Sequence, residues 1–478
     1  MHNWLKKTYH HLPYPARSLM ATARGYQLRR LRYGPETQGL AEEALARESW
    51  SSKQWKVYQE EQLGRTLHHA ATRVPYYRKH WQQRRRRGDH ASWEQLENWP
   101  VLKKDTLRAI PQAFIADDVD KRKLKKEHTS GTTGMPLTLW QSRRFLLQFY
   151  ALYETRVRGW NGVSIHEPWA HLGGQMVTPY HQQKPPFWVW SASLNLLYMS
   201  TFHIAPQTVK AYAQALADHG IQHIIGYCSS VNTLAHFIKE SEIEAPPIKV
   251  VVGDSEPLFD HQRERIARVF NCPCKSAYGM AEMVISASEC AHGAMHLWPE
   301  VGQLEVLYDN QDIRVPTGQT GRLVCTGFLL KEMPLIRYEV GDQGALGPEH
   351  ALCNCGRHLP TLLRVEGRNN DMIVTPDGRR VRWYMSIFSE FHLMETRVIQ
   401  QEANSLTIQF VPTPEFVVAE LEGMKQCLQD RVGNMHTEFQ QVSAIERGPN
   451  GKFRAVISLL DKNGKHKEGN DPALERKR

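Results

Sequence analysis

IQHIIGYCSSVNTLAHFIKESEIEAPPIKVVVGDSEP, residues 221–257, carries the alternation that decides the fold. Residues 221–225 read as a short strand, after which Val231, Leu234, Ala235 and Ile238 recur at helical spacing. Residues 248–252 form an apolar, β-branched run that stops at GDSEP, 253–257. Upstream, Val209, Tyr212, Ala213 and Leu216 mark another helical face between Pro206 and Gly220. Downstream, a helix carrying Ile266 and Val269 leads to a strand that runs into Tyr278. Repeated strand–helix–strand units predict a parallel sheet with crossover helices, an α/β architecture. Ligands of such sheets sit beyond the carboxyl ends of the strands. GDSEP and YGMAE (278–282) both fall there.

Away from this centre the pattern changes. Residues 323–326 form a short apolar strand in a Gly- and Pro-rich stretch, which predicts a small β-subdomain. Beyond Asp371 lies a compact α+β unit. Residues 398–401 and 406–411 flank Ala403 and Asn404 as a hairpin, and a helix carrying Phe416, Val417, Leu421, Met424 and Leu428 ends at Gly433. A strand is expected over 442–445, before the turn GPNGK at 448–452. The first 125 residues read as a helical, irregular extension whose apolar face is weak.

A chain of 478 residues holds two or three domains by length, and its 41% apolar fraction supports a sizeable core. No apolar run reaches the ~18 residues of a membrane span, and residues 1–12 lack the apolar stretch of a secretion signal. A cytoplasmic location is expected. The formal charge of +10 is concentrated early, at 84–87 and 121–126. These runs read as solvated basic faces; an anionic membrane surface or a nucleic acid is the alternative partner, with no zinc-finger or basic-aromatic motif to favour the latter. Residues 462–478 are charged, nearly free of large apolar residues and expected to be disordered. Eight cysteines in so long a chain do not make a disulfide framework. Two C-x-C pairs, Cys272/Cys274 and Cys353/Cys355, point to metal in a reducing compartment.

One loop has the chemistry to grip a nucleotide. In TSGTTG, Thr129, Ser130, Thr132 and Thr133 supply hydroxyls, while Gly131 and Gly134 let backbone amides approach an anion. It is not a Walker A loop, because the G-x-x-x-x-G-K-[ST] spacing is absent.

In order along the chain, HTSGTTGMP (128–136), YGMAE (278–282), MPLIRYEVGD (333–342), EGRNNDMI (366–373) and GPNGKFR (448–454) resemble the successive motifs of the adenylate-forming, AMP-binding superfamily of acyl-CoA synthetases. Within it, LHHAATRVPYYRKH (67–80), GDSEP and CNCGRHLP (353–360) are similar to the phenylacetate–CoA ligase branch. TPDGRRV (375–381) is similar to its CapK-like group from capsular polysaccharide clusters.

The resemblance implies a large N-terminal AMP-binding domain over 1–369, a small mobile α+β lid over 370–461, and a set of roles. Residues 129–134 would hold phosphate, and Gly253, Ser255, Glu256, Pro257, Tyr278, Gly279, Met280 and Ala281 would surround the nucleotide. Tyr278 would pack on adenine, and Asp342 would accept the ribose hydroxyls. Arg368 would contact ribose or phosphate through its donor fork. Glu282 would hold Mg²⁺, a hard cation that takes carboxylate and phosphate oxygens. Lys452 would stabilise charge at the α-phosphate, and Asn370 would be the hinge. Arg337 is a further candidate, with a structural role as its alternative. Two positions depart from the family pattern. Ala281 stands where Thr or Ser is usual, and Asn370 where Asp or Lys is usual, which touches rate and domain rotation rather than reaction class.

Cys290, His296, Cys353 and Cys355 make a Cys₃His set for structural zinc, as the resemblance also implies. His292 is the alternative fourth ligand, and Cys272/Cys274 are a rival pair. The aromatic segment KPPFWVWSASLNLLYM (184–199) lines an acyl pocket or is simply core. The implied reaction is attack of a carboxylate on the α-phosphate of ATP with release of pyrophosphate, then acyl transfer to coenzyme A by default. An amine or a sugar hydroxyl is the alternative acceptor. A non-catalytic assembly protein on the same fold is the competing class, and it would have no need of Glu282, Asp342, Arg368 and Lys452.

Overall fold

The computed structural model describes residues 9–128, 137–179, 181–348, 352–368, 372–376, 380–382, 388, 391–448 and 453–460, with Arg368 described by its backbone alone. Four helices lead the chain: α1 (Tyr14–Arg32), α2 (Pro35–Arg47), α3 (Ser52–Arg73) and α4 (Pro75–Arg86). Each begins with local chemistry that fixes it. Pro35 and Pro75 stand at first-turn positions, and the Ser51 hydroxyl accepts the Gln54 amide ahead of α3. The basic run at 84–87 closes α4, where cations complement the carbonyl end of a helix. After the short α5 (Lys104–Ala109) comes a hairpin of β1 (Lys125–His128) and β2 (Thr138–Gln141), followed by α6 (Arg143–Tyr153). The TSGTTG stretch lies between these two strands and outside the described residues.

The main sheet is built from β3 (Trp169–Gly173), β4 (Trp188–Ser191), β5 (Leu196–Ser200), α7 (Val209–Asp218), β6 (His223–Tyr227), α8 (Cys228–Glu240), β7 (Val250–Asp254), α9 (Asp260–Phe270), β8 (Cys274–Gly279), β9 (Ser286–Glu289) and β10 (Met295–Leu297). Its strand order is β10-β9-β8-β7-β6-β3-β5-β4. The central run from β8 to β5 is parallel, and the strands at both edges are antiparallel. The crossover pattern read from 206–278 is therefore present, with element ends displaced by a residue or two. The aromatic segment 184–199 resolves into β4 and β5. Phe187, Val189, Leu197 and Met199 are buried, so the segment chiefly builds the sheet edge and its core. Helix α1 covers that edge: Ser18 Oγ accepts the Trp190 amide at 3.3 Å, and Ser191 Oγ donates to the Ala21 carbonyl at 3.1 Å. This satisfies polar backbone that an open edge would expose.

A second, antiparallel sheet of β11 (Gly302–Leu307), β12 (Gly321–Gly327), β13 (Tyr338–Leu346) and β14 (Leu362–Arg368) is the predicted β-subdomain, larger than one strand foretold. Beyond the short pair β15 (Met372–Val374) and β16 (Arg380–Arg382), the chain adds β17 (Leu393–Glu402), β18 (Ser405–Pro412), α10 (Glu420–Val432), β19 (His436–Gln441) and β20 (Val456–Ser458). The 403–404 hairpin and the helix end at Gly433 are as read. The strand expected over 442–445 is a correction: it lies earlier, at His436–Gln441, pairing in parallel with β18. Its mixture of charged and polar side chains hid it from an apolar count. Among the described residues, no helix is long and apolar enough to cross a membrane.

Candidate active site

The end of β8 and the middle of β13 meet, and that meeting assembles the site. Tyr278 Oη donates to Asp342 Oδ2 at 2.8 Å. Tyr338, four residues before Asp342 on the same strand, donates to Glu282 Oε1 at 2.7 Å. Asp342 in turn lies opposite the backbone of Arg368 in the β13–β14 register. YGMAE, MPLIRYEVGD and EGRNNDMI, far apart in sequence, thus converge on one edge. Burial and the Asp342 carboxylate hold the Tyr278 phenol well above its ordinary range, so it stays a neutral donor.

Glu282 is buried, and its Oε1 also receives Lys104 Nζ at 2.8 Å. Lys104 is a partner that no motif marks. Tyr338 was not singled out either, although it lies within the MPLIRYEVGD motif four residues before Asp342. Glu282 Oε2 carries no partner among the described residues, which leaves one carboxylate oxygen for a hard cation. Met280 packs against the core, while Gly279 and Ala281 are exposed at the rim of the site.

GDSEP sits at the end of β7. Gly253 is demanded by packing, because a Cβ there would lie 2.4 Å from Cys228 Sγ. Ser255 takes the left-handed conformation, φ 62°, and Pro257 is exposed after it. The Glu256 carboxylate does what the motif does not foretell. Its Oε2 accepts the Ser229 amide at 3.0 Å, satisfying a free amide at the start of α8. Its Oε1 accepts the Phe453 amide at 2.7 Å. Phe453 adjoins Lys452, so one carboxylate ties the main sheet to the C-terminal sheet next to that lysine. Burial raises the Glu256 pKa against the pull of these amides. Around it Phe237 of α8 packs with Met394, Val411 and Ile445.

Arg337 is turned away from the cleft. Its backbone is left-handed, φ 45°, and its guanidinium is buried against Glu305 at 3.1 Å and the Trp99 carbonyl at 2.9 Å. Its role is structural. Thr129, Ser130, Gly131, Thr132, Thr133, Gly134, Asn370 and Lys452 lie outside the described residues.

The ligand atoms of Cys290, His296, Cys353 and Cys355 all lie within 4.8 Å of one another. Cys290 and Cys353 Sγ are 3.8 Å apart, and Cys355 Sγ lies 3.3 Å from His296 Nε2. A zinc tetrahedron with ~2.3 Å Zn–S bonds has sulfur edges of about 3.8 Å, whereas a disulfide needs ~2.05 Å. His296 Nδ1 donates to the Leu359 carbonyl at 3.3 Å, leaving Nε2 free to ligate. Neither His292 nor Cys272/Cys274 belongs to the cluster. The cluster staples the β9–β10 turn to the approach of β14.

The CapK C-terminal domain family matches residues 373–459. Protein CapK of Staphylococcus aureus is 25% identical over 378 residues, 76% of this chain and 80% of that protein. Phenylacetate-coenzyme A ligase of Thermus thermophilus is 24% identical over 72% of this chain and 74% of its own length. The chain is similar to the phenylacetate–CoA ligase/CapK-like family of adenylate-forming proteins. Solved structures agree on the family fold. A 2-hydroxyisobutyryl-CoA ligase in its postadenylation state matches with a TM-score of 0.65 at 19% identity, covering 86% of this chain and 91% of that one. The same ligase in an open conformation with 2-HIB-AMP and CoA gives 0.53 at 20% identity, covering 86% and 93%.

Proposed function

We propose that the protein activates a carboxylic acid with ATP, forming an acyl-adenylate and releasing pyrophosphate, and then passes the acyl group to coenzyme A. The observation that carries this reading is the double contact of β13: Asp342 with Tyr278, and Tyr338 with Glu282. It draws together the residues to which the family assigns adenine, ribose and metal. The names of the relatives, which include CoA ligases, support the reaction class.

In this reading Asp342 receives the ribose hydroxyls and Tyr278 lies along the base. Arg368 reaches ribose or phosphate from the strand beside Asp342, and the loop 129–134 wraps the phosphates. Mg²⁺ would be held by the open oxygen of Glu282, where it offsets phosphate charge. Lys452 would bring a cation to the α-phosphate as the pentavalent charge develops, which lowers the barrier electrostatically. The proposed division is a large unit, 1–369, and a lid, 370–461, that rotates about Asn370 between the half-reactions. The better match to the postadenylation state than to the open state of one ligase supports an arrangement near the first half-reaction. The Cys₃His cluster would hold structural zinc, a closed four-ligand site without a catalytic position. The family name CapK motivates testing a sugar hydroxyl or an amine beside coenzyme A as acceptor.

The test is ATP–pyrophosphate exchange over a panel of carboxylic acids, followed by acceptor assays on the acids that respond. Exchange that needs an acid and is lost in Lys452→Ala is the expected result. No exchange with any acid refutes the reading.

A further inference from the structure

Beside the nucleotide cleft, the carboxyl ends of β3, β6 and β7 present polar groups that the adenylation chemistry does not use. Strand alternation places Trp169 and His171, Ile225 and Tyr227, and Val252 and Asp254 on the same face. The inner members of this set, Trp169, Ile225 and Val252, pack in one core with Phe149 and Leu152 of α6. By register His171 stands level with Ile225 and Val252, and Tyr227 and Asp254 form the next level toward the carboxyl ends of their strands.

Asp254 Oδ1 is buried and has no hydrogen-bond partner among the described residues. His171 donates through Nδ1 to the Ile225 carbonyl at 3.0 Å, so Nε2 is an acceptor, and it carries no partner among the described residues. Burial lowers the His171 pKa against the pull of the Asp254 carboxylate, which lies within electrostatic reach of the ring. Tyr227 lies opposite Asp254 in the sheet register, and the Asp254 charge reaches both the Tyr227 and Tyr153 phenols. Arg158, the guanidinium on this face, is already committed: it contacts Glu154 at 3.1 Å and His223 at 3.3 Å. The face is thus rich in acceptors and aromatic rings; of its nearby cations Arg158 is ion-paired and Arg32 lies over the Tyr150 ring at 4.5 Å. A half-buried carboxylate with one buried, unpartnered oxygen suits a ligand cation, and the aromatic faces favour one further.

We propose that the acid activated by this protein carries a protonated amine, and that Asp254 receives it. The inference rests on the adenylation reading and names the substrate class for it. A plain apolar acyl chain would leave the Asp254 oxygen buried and unpaired, which discriminates by roughly ten- to a hundredfold.

The experiment uses the full chain and matched acids that differ only by an amino group: butyrate against 2-, 3- and 4-aminobutyrate, and phenylacetate against 2-phenylglycine. Pyrophosphate exchange gives kcat/KM for each. At least one aminated acid is expected to exceed its plain partner by about tenfold or more, with the ratio collapsing toward one in Asp254→Asn. Plain acids that match or exceed every aminated partner overturn the proposal and leave adenylation standing, as does a ratio unchanged in a folded Asp254→Asn. Should that variant not fold, the ratio in the parent protein decides alone. Silence with every acid removes the adenylation reading and this inference with it.

Discussion

Glu256→Ala is the most informative perturbation of the contact between the two parts of the chain. The parent carboxylate accepts two backbone amides, one from Ser229 within the main sheet's unit and one from Phe453 in the C-terminal segment. A hydrogen bond to a charged group contributes about 1.5–3 kcal/mol. Only the Phe453 bond crosses between the sheets, so docking of the C-terminal segment should weaken by that one increment. At ~1.4 kcal/mol per factor of ten, the docked population falls by roughly 10- to 150-fold where docking is marginal, and by less where apolar contacts hold a reserve. Lys452 adjoins Phe453, so the first half-reaction should carry the loss. Pyrophosphate exchange should drop by about tenfold or more, while single-turnover transfer from preformed acyl-adenylate to coenzyme A stays within about threefold. Glu256→Gln keeps one acceptor oxygen and should fall between. Exchange within twofold of the parent in a folded Glu256→Ala protein would refute the argument, and so would equal losses in both half-reactions.

Cys353→Ser should take bound zinc from about one ion per chain to none by elemental analysis and lower the melting temperature, because structural sites contribute folding energy; equal zinc in parent and variant counts against the cluster. Arg156 is fully buried and paired with Glu300 at 2.7 Å and Glu48 at 3.0 Å, so Arg156→Ala should cost about 3–5 kcal/mol in urea unfolding by stranding Glu300. His223 is held down to about 3 by burial. A histidine depressed in the folded state contributes stability that is present above the unfolded value of ~6.5 and lost as pH falls toward 3. His223→Gln should therefore remove about 1 kcal/mol of the acid destabilisation between pH 7 and pH 5.5, read as the difference between two urea titrations.

Legibility followed local chemistry. The crossover units between 206 and 278 were readable because their strands are buried on both faces and their helices show a clean apolar stripe. The Cys₃His cluster was readable because thiolate spacing survives any change of fold. Strand β19 was not, since HTEFQQ is largely polar, alternates exposed with half-buried residues and takes its strand partners from β18. Arg337 looked available for nucleotide because its motif ends in Asp342, yet a left-handed backbone turns it into the core. Lys104 could not be found at all. Its partner Glu282 lies far along the chain, and nothing local to Lys104 records that. Asp254 was hidden differently: it read as part of a nucleotide motif, whereas alternation along β7 puts it on the face of Val252, Ile225 and Tyr227.

The site is held with most of its polar groups already paired, and this constrains how a nucleotide can use it. Tyr278 spends its proton on Asp342, and Glu282 receives both Tyr338 and Lys104. On the proposed reading a ribose would share the Asp342 carboxylate with Tyr278, which takes only Oδ2. What the pairing supplies is position. Each carboxylate is fixed by a phenol, so in the proposed reaction little reorganisation would remain when charge develops at the α-phosphate. Lys104 adds a balancing cation beside the buried Glu282 carboxylate. On the proposed reading a divalent ion would enter at the Glu282 oxygen that Tyr338 and Lys104 do not take.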